Sequence, residues 1–80
     1  MRRSYSRRYG KYVYDIEIYE PPTKAARFRA HVMNLAKLES GQHVFVDADI
    51  RDEYGATPDE AVSQIDAAVE AWVMSRTPSR

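Results

Sequence analysis

Eighty residues make one small domain, which buries only about 60% of the surface its unfolded chain exposes, so one sheet face covered by one helix is the expected extent of its core. The chain has no cysteine, which excludes disulfides and thiolate metal sites, and leaves packing or association to supply its stability. Its formal charge of zero conceals a segregation: Arg2, Arg3, Arg7, Arg8 and Lys11 fall within the first eleven positions, which hold no acid, so seven bases face twelve acids in the remainder.

Residues 1–10, MRRSYSRRYG, read as a flexible basic arm, because like charges repel and no apolar period is evident. No apolar run approaches the ~20 residues of a membrane span, and no hydrophobic core of a signal peptide follows the charged start, so a cytoplasmic location and no membrane contact are expected. Ordered structure is expected from Lys11. In YVYDIEIY, Tyr12, Tyr14, Ile16 and Ile18 alternate with Val13, Asp15, Glu17 and Tyr19, the period of a half-buried strand. Pro21 and Pro22 end it, since neither offers a backbone donor.

A second strand is expected over Ala25–Leu35. Ala26, Phe28, Ala30 and Val32 would share one face and Arg27, Arg29, His31 and Met33 the other; on a helix those three basic residues would scatter. The segment AKLESGQ reads as a connection turning at Ser40 and Gly41. A third strand is expected over His43–Ile50, with Val44, Val46, Ala48 and Ile50 turned inward.

The last element is the best marked. Thr57 suits an N-cap, Pro58 the first helical position, and Glu60 the third position of a capping box. Ala61, Val62, Ile65, Ala68, Val69, Trp72 and Val73 form one apolar stripe, and the helix should end near Ser75 or Arg76. The fold class is therefore α+β: a three-stranded antiparallel β-meander packed on one C-terminal α-helix, residues 11–76, with a short tail over 77–80.

No constellation demands a chemistry. With the second strand central, Arg27 and Arg29 would lie between Asp15 and Glu17 on one side and Asp47 and Asp49 on the other, which reads as a charge-paired face. His31 and His43 share that face without the spacing of a metal site. No catalytic residue, cofactor or metal is expected, and the chain reads as a non-enzyme. Val13, Tyr19, Met33 and Phe45 fall on the face opposite the helix, where several apolar residues together mark a candidate protein interface and favour a homodimer. Arg2, Arg3, Arg7, Arg8 and Lys11, interleaved with tyrosine, form a candidate nucleic-acid arm as the alternative to a solvated terminus.

The pattern of strands followed by YGATPDEAVSQIDAAVEAWV resembles the HicB-like antitoxin domain. Gly55 and Thr57 match a Gly-Asp-Thr element with Ala56 in its middle, Asp59, Glu60 and Ala61 match Glu-Glu-Ala, and Val69–Trp72 match the close of the helix in looser form. The resemblance covers the last third of the chain closely and implies a small bacterial partner-binding domain with a toxin-like protein as partner. The segment NLAKLESGQ departs from the family pattern between the second and third strands. The double-stranded RNA-binding fold shares the three strands and helix, but Asp59 and Glu60 would repel phosphate where that fold is basic.

Overall fold

The computed structural model describes residues 2–76; Met1 and the expected tail over 77–80 lie outside the described residues. Strand β2 (Tyr12–Tyr19) follows the alternation of its sequence, with Tyr14, Ile16 and Ile18 buried and the intervening residues half-buried. Its N-terminal neighbour is a strand as well. Arg2–Tyr9 form β1, paired antiparallel with β2 in an unbroken register from Arg2 opposite Tyr19 to Tyr9 opposite Tyr12. This corrects the expected flexible arm and moves the boundary at residue 10 into a hairpin turn. Gly10 takes a positive φ of 61° at the first central position of the two-residue loop, which right-handed strand twist favours and glycine adopts without strain.

Strand β3 (Phe28–Glu39) pairs with β2 and continues four residues past Leu35, through part of the segment expected to be a connection. Asn34 is left-handed, with φ 56°, and there β3 carries one residue more than β2 between the pairs Asp15–Met33 and Val13–Ala36. This bulge inverts the alternation. Ala30 is buried on one side of it and Leu35 on the other, both in the core, while Ala36 moves to the opposite face beside Val13. Ser40 and Gly41, at φ 50° and 82°, then form the tight turn expected at those residues; two successive positive φ values are the signature of a type I′ hairpin.

Strand β4 (Gln42–Phe45) is short, and β5 (Glu53–Gly55) pairs with the beginning of β3 on the same side. The expected third strand over His43–Ile50 therefore forms only over residues 43–45. Val46 donates to the Leu35 carbonyl at 2.9 Å, after which the chain leaves the ladder. Val46, Ala48 and Ile50 still pack on the core, so their alternation reports burial without strand pairing. Among the described residues the sheet has five strands, in the order β1-β2-β3-β4 with β5 also on β3, in place of the expected three.

Helix α1 (Pro58–Arg76) closes the core with Ala61, Val62, Ile65, Val69 and Val73, against Tyr14, Ile16, Ile18, Ala30 and Leu35. Thr57 Oγ1 accepts from the Glu60 amide at 3.1 Å, while Glu60 Oε1 accepts from the Ala56 amide at 2.9 Å, one residue earlier than the usual capping box. Trp72 meets Tyr12 edge-on, with centroids 5.8 Å apart, and Arg76 lies over its ring at 4.3 Å. The architecture is α+β, one antiparallel sheet followed by one helix on one of its faces.

Candidate functional site

The sheet face away from α1 has no covering element among the described residues. Cross-strand partners share a face in an antiparallel sheet, so the registers define its columns. Val13 aligns with Ala36, which aligns with Phe45; Asp15 aligns with Met33; Glu17 with His31; and Tyr19 with Arg29. Val13, Tyr19, Met33 and Phe45 thus occupy one face, as their alternation in sequence implies. Phe45 is 77% exposed, an unusual position for a phenylalanine, whereas Val13, Tyr19 and Met33 are half-buried. Phe45, Val13 and the buried Ala36 line a shallow depression of about 520 Å³, rimmed by Ser6, Arg8, Asp15 and His43.

The polar half of the face is arranged differently from the sequence-based expectation. Arg27 precedes β3, and Asp47 and Asp49 follow β4, so the proposed ladder of arginines between carboxylates does not form. Asp52 takes that role instead: its carboxylate lies 3.0 Å from Arg29 Nη1 and 2.8 Å from His31 Nδ1. The Arg29 guanidinium also covers the Tyr19 ring at 4.2 Å. All of these side chains are partly exposed, so each pair contributes at most about 1 kcal/mol. Asn34 and Ser6 both donate to Asp15, at 3.0 and 3.1 Å, which ties the bulge and β1 to β2. His31 and His43 are not brought into one group, and no three histidine, aspartate or glutamate side chains converge as metal ligands among the described residues.

The basic residues divide by face. Arg3 and Arg7 lie on the helix side of β1 with Tyr5 and Tyr9, and Arg8 falls on the open side. Arg7 makes two hydrogen bonds to Asp66 of α1, at 2.6 and 3.3 Å, and Tyr14 donates to the same carboxylate at 2.7 Å. The hydrogen bond and charge of Asp66 push the Arg7 guanidinium further toward the protonated form. Burial of Tyr14, reinforced by its hydrogen bond to Asp66, holds its phenol protonated well above the ordinary tyrosine range. Arg8 Nε donates to the Gly10 carbonyl at 3.0 Å, and Arg3 and Lys11 are exposed. The sequence contained no signal for Asp66 as an anchor; as a polar residue outside the apolar stripe it pointed to solvent, and its partners come from β1 and β2, which bring Arg7 and Tyr14 to α1.

No helix among the described residues is long and apolar enough to cross a membrane. No family model, curated protein or solved structure matches the chain.

Proposed function

We propose that the chain is a small, non-enzymatic protein–protein interaction domain of HicB-like fold, acting in the bacterial cytoplasm, which pairs with a second copy through the open face of its sheet. The observation that carries this reading is Phe45, 77% exposed beside Val13 and Ala36 on an uncovered face. Size agrees with it. The two longer dimensions of the molecule, 44 and 26 Å, outline roughly 1,100 Å², and a standard interface takes ~800 Å² from each partner. Burying a second face would also supplement a core limited to one helix and one sheet face. Support for the HicB-like part comes from antiparallel strands preceding a single helix and from the Gly55–Thr57 entry into that helix. A toxin-like protein is the heterologous partner that this likeness implies.

Sedimentation equilibrium across a wide concentration range tests the reading. The wild-type chain should shift from monomer to dimer as concentration rises, and Phe45→Ser should remain monomeric with an unchanged circular dichroism spectrum. A strict monomer at the highest concentration, or a dimer indifferent to Phe45→Ser, would remove the proposal.

A further inference from the structure

Strand β1 is the outer strand of the sheet. β2 covers one of its edges from Arg2 to Tyr9 without a register shift, and no described strand covers the other. Its eight residues contain neither proline nor bulge, so alternate residues direct N–H and C=O groups outward along roughly 26 Å. Such an edge is a template for another strand, and its side chains decide which strand.

The sequence from Arg2 to Arg8, RRSYSRR, reads the same in both directions. An antiparallel pair of two copies centred on Tyr5 therefore sets Arg2 against Arg8 and Arg3 against Arg7 on both halves. A register shift of one residue sets Arg3 against Arg8, or Arg2 against Arg7. Like charges directly opposite destabilise a pair, so the near-full-length antiparallel registers are all disfavoured between copies. The same charges attract carboxylates. Arg7 is already committed to Asp66, but Arg3 is exposed on the helix side and Arg8 on the open side, and the single hydrogen bond from Arg8 Nε to Gly10 leaves the rest of its fork for a carboxylate.

We infer that the outer edge of β1 is a strand-addition site for an extended acidic segment of another protein, whose carboxylates meet Arg3 on one face and Arg8 on the other. The inference rests on the reading of the chain as a protein-interaction domain but uses a surface separate from the Phe45 face. A peptide strand satisfies the outward backbone groups of β1, which a phosphate chain does not. The neighbouring column also opposes a polyanion: Asp15 and Glu17 stand on the open face of β2, opposite Ser6 and Ser4 of β1, and interrupt any continuous positive surface.

The probe is a short capped peptide with paired glutamates at each end and alternating threonine and valine between them, titrated by fluorescence anisotropy and followed by amide hydrogen exchange. Binding should slow the exchange of alternate amides within residues 3–9. The same peptide N-methylated at alternate residues, and its lysine counterpart, should each bind roughly tenfold more weakly or worse. Arg3→Glu/Arg8→Glu should reverse the preference between glutamate and lysine peptides, and Arg3→Gln/Arg8→Gln should lose the first without gaining the second, with circular dichroism reporting the fold of both variants. Peptide binding should persist in Phe45→Ser, so failure at the edge and failure of the dimer proposal are read separately. No binding, binding without protection of β1, indifference to N-methylation, or tighter binding of a single-stranded oligonucleotide through Arg3 and Arg8 would each overturn the inference.

Discussion

Replacing Gly55 by alanine tests how the sheet and helix are joined. Gly55 ends β5, is buried, and pairs with Phe28 where the strand passes beneath the first turn of α1. A Cβ added there would lie 2.5 Å from the Ala61 amide nitrogen and 2.8 Å from both the carbonyl carbon and Cβ of Glu60. Ordinary contacts between such atoms are about 3.5–4.0 Å, so helix and strand would have to separate by roughly 1 Å. That movement would loosen the packing of Ala61, Val62 and Ile65. Overpacking typically costs ~1–3 kcal/mol, and because the obstacle is helix backbone the upper end applies, about 3 kcal/mol. In a domain of this size that lowers the thermal midpoint by roughly 12–24 °C. Gly41→Ala is the control: its φ of 82° strains an alanine, but nothing lies within 4 Å of the new Cβ, so it should cost only ~1 kcal/mol. Urea unfolding of both variants in the Phe45→Ser background avoids any contribution from association. If Gly55→Ala proved no less stable than Gly41→Ala, close approach of β5 to the helix would not be the reason for the glycine.

Tyr14→Phe removes a buried hydroxyl donating to a carboxylate and should cost ~2 kcal/mol at neutral pH, read by urea unfolding. The pH dependence has a definite sign: the folded phenol stays protonated above its unfolded value of 10.0, so its stabilisation is complete below that pH and declines above it, by up to about 1.4 kcal/mol per pH unit. The gap between wild type and Tyr14→Phe should therefore narrow above pH ~10; a constant gap would contradict the buried, bonded phenol. Thr57→Ala should cost ~1 kcal/mol and speed hydrogen exchange at the Glu60 amide, whereas unchanged stability and exchange would show the cap to be idle.

Local signals made the helix legible, because Thr57, Pro58 and the apolar stripe each act within a few residues. Strand β2 was equally plain, since its alternation coincides with burial. Strand β1 was obscured by charge. Its period of two is present, with Arg3, Tyr5, Arg7 and Tyr9 on one face, but four arginines in eight residues resemble a solvated arm unless the partner of Arg7 is known. That partner, Asp66, lies 59 residues away, beyond the reach of any local pattern. Gly10 was the available clue, a turn glycine between two tyrosine-bearing segments.

The open face was legible only up to the bulge. Simple alternation carried from Arg27 to Met33 predicts Leu35 on the outer face, yet one left-handed residue, Asn34, turns Leu35 into the core and brings Ala36 outward. Asparagine tolerates that conformation better than most residues, but it is also common in ordinary loops, so its presence alone could not announce an inversion. The consequence reaches β4. With Ala36 outward, its partner Phe45 is placed beside Val13 across a small side chain, and the depression they line exists because alanine occupies the central strand. A single backbone irregularity thus aligns three apolar residues from three strands, and the exposed phenylalanine becomes part of a surface instead of an isolated side chain.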